Sequence, residues 1–256
     1  MTTDRTLIVV PTYNERENVA RLVARLLEVA PRADVCLLDD DSPDGTADLA
    51  CELFGRDTRF SVLRRAGRPR GYGRSLVDGY RRCLEAGYAR LVQLDADFSH
   101  DPASIPALVE ASERADVVIG SRYCAGGSVE NWPLRRRLLS RFANRYVCRI
   151  TGLRARDTTS GFRCYTRRAL RCLLEGRVAG EGYAFLVEAT YHAHREGLSI
   201  EEVPITFTDR REGKSKMSRG VIFESVLMPW RLRFAKIKNE GGRMKDEGVA
   251  DEHGSA

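Results

Sequence analysis

Five short aliphatic runs alternate with amphipathic stretches between Thr6 and Gly120. The runs are Thr6–Val10, Val35–Asp39, Phe60–Arg64, Leu91–Leu94 and Asp116–Gly120. Each is too short for a buried helix and carries the β-branched residues that favour strands. The intervening segments predict helices ending near Val29, starting near Thr46, running from the Gly71-Tyr-Gly73 turn to Ala86, and spanning Pro102–Arg114. Asn14 followed by Glu17 reads as a capping box opening the first helix. Strand–helix alternation of this kind predicts an α/β fold: a mainly parallel sheet flanked by helices on both faces. Such sheets bind ligands at the carboxyl ends of their strands.

The second half is less regular. Pro133 is expected to open a helix to Ile150, and Asp157–Arg163 forms a loop entering a short strand. Tyr183–Arg195 reads as a helix, with Ser199–Val203 and Ile205–Thr208 extended around Pro204. A loop over Gly213–Arg219 is expected to lead into an amphipathic C-terminal helix, Gly220–Lys238. The expectation is one domain over 1–238 and a polar, disordered tail over 239–256.

Composition narrows the function classes. No apolar run reaches the ~18 residues of a spanning helix; Val221–Trp230 is short and broken by Glu224. Leu7–Val10 suits a strand and not a signal peptide, so a cytoplasmic location is expected. The seven cysteines form no C-x-x-C pair and read as reduced thiols. His192 and His194 are two apart, on different faces of a helix, which argues against a metal pair. The formal charge is +6, yet Asn131–Arg156 holds eight Arg and no acid. Such a basic second half suggests an anionic partner. Helix-turn-helix and zinc signatures are missing, so nucleic acid is not the expected one.

The acidic clusters fall at predicted strand ends. Asp95-Ala-Asp97 follows the fourth strand; residues two apart on extended chain face the same way, so the two carboxylates converge. Hard oxygen ligands of this type suit Mg²⁺ or Mn²⁺ together with substrate phosphates. Asp39-Asp40-Asp41 follows the second strand, and its mutual repulsion calls for compensating donors. Gly71-Tyr-Gly73 would let backbone approach a phosphate or simply turn into a helix. Neither a P-loop nor a G-x-G-x-x-G fingerprint is present.

Read in order, Val10–Asn18, Asp39–Thr46, Asp95–His100, Gly120–Tyr123, Asp157–Arg163, Glu181–Tyr183 and Val203–Ile205 leading to Ser215-Lys216 resemble the dolichol-phosphate mannose synthases. These are inverting glycosyltransferases of family 2 with a GT-A, Rossmann-like fold. The resemblance spans Leu7 to about Trp230. It implies that Pro11, Tyr13, Glu15 and Asp40 hold the nucleoside of GDP-mannose, with Leu38 lining the base site. It further implies that Asp95, Ala96 and Asp97 meet ribose, diphosphate and an Mg or Mn cation, with Asp95 and Asp97 as metal ligands. Arg122 would contact the sugar-phosphate region, and Arg210 and Lys216 would close over the diphosphate. The sequence departs from the family at Tyr72, where Leu is usual, and at Ser99, where some relatives carry Gln. Many relatives add C-terminal transmembrane helices; none is read here.

The implied reaction moves mannose to a polyprenyl (dolichyl) phosphate. That acceptor is largely dianionic at pH 7, its second pKa being ~6, so no essential carboxylate base is expected. Arg137, Arg141, Arg145 and Arg149 form one stripe of the helix after Pro133, and Leu138, Phe142, Tyr146 and Ile150 the next. A basic amphipathic helix suits an anionic lipid surface. The expectation is therefore a peripheral enzyme on the cytoplasmic membrane face, with a separate membrane-anchor subunit as a further partner. The alternatives are a transferase using UDP-glucose or UDP-GlcNAc, and a non-catalytic nucleotide-sugar-binding subunit.

Overall fold

The computed structural model describes residues 3–176, 178, 180, 182–209 and 226–234. Its first half reads β1 (Thr3–Thr12), α1 (Arg16–Val29), β2 (Ala33–Asp39), α2 (Thr46–Phe54), β3 (Phe60–Arg64), α3 (Tyr72–Glu85) and β4 (Tyr88–Gln93). A 3₁₀ turn, Pro102–Ser104, then leads into α4 (Ile105–Ala111) and β5 (Val117–Ser121). There follow β6 (Ser128–Glu130), α5 (Leu134–Thr151), β7 (Arg163–Thr166), α6 (Arg167–Glu175) and α7 (Tyr183–Arg195). The last strands are β8 (Ile200–Pro204) and β9 (Thr206–Thr208). Residues 226–234 are helical; the remainder of the expected C-terminal helix and the tail over 239–256 lie outside the described residues.

The main sheet has the order β3-β2-β1-β4-β7-β5-β8, and β6 pairs with β9 in a small second sheet. Only β7 runs antiparallel within the main sheet, against both β4 and β5. The strands β1 and β2 are in register from Thr6↔Ala33 to Thr12↔Asp39.

Alternation along β1 shows why this strand is central. Ile8 and Val10 point into a core built with α1, α2 and α4. Leu7 and Val9 point into a second core built with α3, α6 and α7. Both faces are therefore covered, which explains a run of apolar residues without polar interruption. The chain leaves β1 toward β2 and β3, then returns to place β4 on the other side of β1. That reversal is a topological switch point, where side chains can enter from both directions.

The helix starts differ from expectation. Asn14 does not cap α1; it adopts a left-handed conformation at φ 59°. The amides at this helix start are instead satisfied by the loop after β2 and the first residue of α2. Asn14 N donates to Ser42 Oγ at 3.1 Å, Glu15 N to Thr46 Oγ1 at 3.0 Å and Arg16 N to Asp44 Oδ2 at 3.1 Å. Thus the turn Asp41–Gly45 caps its neighbour's helix as well as preceding its own.

Candidate active site

A cavity of about 490 Å³ opens at the switch point. Its first wall comes from the strand ends: Pro11 in the last residues of β1 with Tyr13 and Glu15 just beyond it, Asp40 after β2, and Asp95, Ala96 and Asp97 after β4. Arg122, after β5, faces them. The structure thus brings together eight of the residues singled out in the sequence. Leu38 is the exception. It is fully buried in the core beneath α3, where a Cβ added at Gly79 would lie 2.8 Å from its Cδ1. Its side chain points to the α3 face of the sheet and does not line the cavity, which corrects the expected base contact. Arg210 and Lys216 lie outside the described residues.

The three consecutive aspartates have separate partners, so no ligand is needed to hold them together. Asp39 accepts from Thr12 Oγ1 at 3.0 Å and from the Ser42 hydroxyl and amide at 2.7 and 3.0 Å. Asp40 pairs with the buried Arg65, which also donates to Asp78 at 2.8 Å. The second oxygen of Asp40 accepts from Gly71 N at 2.7 Å. The amide of the glycine turn is therefore directed at a carboxylate. Asp41 is half exposed, left-handed at φ 61°, and has its Oδ2 3.7 Å from Arg70 Nη2.

Asp95 and Asp97 reach the cavity through a turn held by Phe98 at φ 58°. A bulky residue in this region stores roughly 1–3 kcal/mol of strain, and Arg21 covers its ring at 4.3 Å. Asp97 Oδ1 accepts from Ser99 N at 3.0 Å. Asp95 Oδ1 accepts from the Tyr72 hydroxyl at 3.1 Å, and its Oδ2 lies 3.7 Å from His100 Nδ1. Burial, followed by the Asp95 charge, pushes the Tyr72 phenol well above its ordinary value, so it remains a proton donor. Burial also lowers the His100 pKa, outweighing the nearby Asp95 and Asp97, and keeps the ring neutral.

Ser99 Oγ and His100 Nδ1 are buried with no hydrogen-bond partner among the described residues. Two carboxylates facing a cavity beside such polar atoms fit a hard divalent ion that shares its coordination with phosphate oxygens. Among the described residues no group of three or more His, Cys, Asp or Glu could hold a metal ion unaided.

The far wall centres on Arg122, which is nearly sealed at 5% exposure. Its Nε and Nη2 donate to the two oxygens of Asp157, each at 2.7 Å, and Nη2 also donates to Thr159 Oγ1 at 2.7 Å. Rings of Tyr123, Trp132 and Phe207 surround the guanidinium at 5.2–5.7 Å. Burial pushes the Asp157 pKa up, but the hydrogen bonds and charge of Arg122 prevail and hold it below its ordinary value. Asp157 opens the Asp157–Arg163 segment, and the sequence alone gives it no role. Its place directly after an acid-free, Arg-rich segment was the available signal.

Behind that loop, Arg163 is fully buried and, among the described residues, donates to neutral oxygens. It donates to Ser160 O at 2.8 Å, Thr158 O at 2.7 Å, Leu186 O at 2.9 Å, Thr190 Oγ1 at 3.0 Å and Tyr165 Oη at 3.2 Å. This fan ties the Asp157–Gly161 loop to α7.

The sequence matches the family described as Glycosyl transferase family 2 over residues 7–174. A polyprenol monophosphomannose synthase from Mycolicibacterium smegmatis is 42% identical over 235 residues, covering 90% of this chain and 88% of that protein. An undecaprenyl-phosphate mannosyltransferase from Micrococcus luteus is 42% identical over 223 residues, covering 87% of this chain and 91% of that protein. Among solved structures, glucosyl-3-phosphoglycerate synthase from Mycobacterium tuberculosis, in complex with Mn²⁺, UDP and phosphoglyceric acid, has a TM-score of 0.64 at 18% identity. That match covers 97% of this chain and 80% of the other, and it supports the fold alone. The parallel sheet, the strand-end cavity and the match over 7–174 agree: the chain belongs to glycosyl transferase family 2.

Proposed function

We propose that this chain transfers mannose from GDP-mannose to a polyprenyl phosphate, with inversion, in a single displacement. The observation that carries this reading is the convergence of Asp40, Asp95, Asp97 and Arg122 on one cavity at the switch point. The two mannosyltransferases at 42% identity supply the sugar and the acceptor class.

In this reading Pro11, Tyr13 and Glu15 hold the nucleoside, on a wall that Asp40 and Arg65 brace. Asp95 and Ala96 meet the ribose and diphosphate. Asp97, with Asp95, would hold a Mg²⁺ or Mn²⁺ ion, which would supply positive charge against that of the departing diphosphate. Arg122, aimed by Asp157, faces the sugar-phosphate region; the diphosphate-closing role that the resemblance implies falls to Arg210 and Lys216, outside the described residues. The acceptor phosphate carries its own negative charge and needs no base. His100, buried and neutral, is not required as one.

The acceptor enters from a membrane surface. On α5, Leu134, Leu138, Leu139 and Phe142 are 56–66% exposed, beside the Arg137, Arg141, Arg145 and Arg149 stripe. Trp230 and Phe234 of the helical segment 226–234 are exposed as well, and Trp230 Nε1 donates to Tyr146 Oη at 2.9 Å. Apolar side chains rimmed by arginines suit an anionic bilayer. Among the described residues no helix is long and apolar enough to cross one.

The test is transfer of labelled sugar into organic-extractable lipid from GDP-mannose, UDP-glucose and UDP-GlcNAc in parallel. Label is expected from GDP-mannose. Label from a UDP-sugar alone would transfer the assignment to the alternative donor, and no transfer from any donor would favour a non-catalytic subunit.

A further inference from the structure

The start of α3 joins the two acidic strand ends. Gly71 N donates to Asp40 Oδ2 at 2.7 Å, and the next residue, Tyr72, donates its hydroxyl to Asp95 Oδ1 at 3.1 Å. Tyr72 lines the cavity itself, and its ring packs against the α3-side core. The other Asp95 oxygen stands 3.7 Å from His100 Nδ1, on a ring enclosed by Phe162 and Phe207. The two oxygens of Asp95 are thus unlike: one accepts from a phenol, the other stands beside a buried imidazole, and the residue as a whole lines the cavity.

Gly161 makes this arrangement fit. A Cβ there would lie 2.9 Å from the Tyr72 hydroxyl and 3.1 and 3.2 Å from the two Asp95 oxygens. Gly161 O also accepts from Gln93 Nε2 at 3.1 Å, which fixes the loop against β4. The missing side chain leaves room for the phenol–carboxylate pair.

We infer that Tyr72 is a positioning residue: its hydroxyl fixes the Asp95 carboxylate so that one oxygen only is presented to a nucleoside diphosphate and its divalent cation. The inference rests on the proposed function, since it concerns the same site. A donor holding a ligating carboxylate restricts its rotamer and limits its charge. Loss of such supporting partners typically weakens metal affinity or activity about 10- to 100-fold. A carboxylate without the phenol can rotate and pay an ordering cost on binding.

The experiment measures Mn²⁺ binding in the presence of saturating GDP, by electron paramagnetic resonance of free Mn²⁺, on the full chain. Tyr72→Phe removes one oxygen atom and keeps the ring, so its melting temperature is expected to stay near that of wild type. Its Mn²⁺ affinity is expected to fall about 10-fold or more. Gly161→Ala, which crowds the same hydroxyl, is expected to fall in parallel. In an Asp95→Asn background, Tyr72→Phe is expected to add less than about twofold, because the two residues act as one unit. Unchanged Mn²⁺ affinity in Tyr72→Phe would overturn the inference alone. An equal loss with and without the Asp95 carboxylate would overturn it too, by showing a role in packing only. Failure of the wild-type chain to bind Mn²⁺ with GDP would overturn the proposed function and the inference with it.

Discussion

Arg122 and Asp157 form a two-pronged ion pair inside the protein, with Nε and Nη2 each 2.7 Å from a separate carboxylate oxygen. The side chains are 5% and 0% exposed. The pair spans 35 residues of sequence and sets the wall opposite the strand-end acids. Breaking a buried pair from one side leaves an uncompensated charge. Asp157→Ala is therefore expected to cost about 3–5 kcal/mol of stability, read as a lowered urea midpoint. The pH dependence follows in sign. Asp157 titrates below its unfolded value, so its contribution is complete above the ordinary carboxylate pKa of ~3.9 and is lost as pH falls toward the lowered folded value. Wild type is expected to lose stability through that acid range more steeply than Asp157→Asn.

Arg163 is expected to matter for shape and not for charge pairing. Its five hydrogen bonds reach neutral oxygens on the Asp157–Gly161 loop, β7 and α7. Arg163→Met strands several of those acceptors, each worth about 1–3 kcal/mol when buried and unmet. A drop of at least about 3 kcal/mol in urea unfolding is expected. An unchanged midpoint would show that the loop is held by other means.

The cysteines give a chemical test of the core. Cys36, Cys83 and Cys164 are buried, and Cys51 alone of the seven is exposed. Burial pushes the Cys83 and Cys164 thiols up to about 12 and Cys148 up to about 11. Thiolate is the reactive form. At pH 8 one thiol is expected to react quickly with a chromogenic disulfide, and all seven only after denaturation. Rapid reaction of four or more in the native protein would contradict this core.

The exposed apolar residues of α5 predict membrane attachment. Paired Leu138→Ser and Phe142→Ser substitutions remove mostly exposed apolar area, with the Phe142 ring giving up its stacking on Tyr146 at 6.4 Å, so the fold should be retained. Flotation with anionic vesicles is expected to fall several-fold, while transfer to a short-chain water-soluble acceptor persists. Equal flotation of wild type and variant would place the lipid surface elsewhere.

Much of the frame was legible because local pattern decided it. The strand Phe60–Arg64 and the helix Tyr183–Arg195 appear with the expected bounds. The helix α6 was not anticipated, since Arg167, Arg168 and Arg171 interrupt its apolar pattern, although Ala169, Leu170 and Leu173 are buried on one face. The Asn14–Glu17 pattern does not cap α1, because the amides at that helix start meet acceptors on Ser42, Asp44 and Thr46, which only the tertiary fold brings near. The place of Asp95 and Asp97 at the cavity was legible from their strand-end position read together with Asp39–Asp41 and the family resemblance. Asp157, Tyr72 and Arg65 could not be placed, because each acts through a partner that only the tertiary fold brings near.

The measurement that bears most directly on the whole account is mannosyl transfer by purified enzyme with Mn²⁺, with excess chelator, and after Asp97→Ala. The expectation is loss of transfer in chelator, restored by added Mn²⁺, and a fall of about 10²- to 10³-fold for Asp97→Ala without loss of folding. Undiminished turnover in chelator, or an Asp97→Ala enzyme as active as wild type, would contradict it.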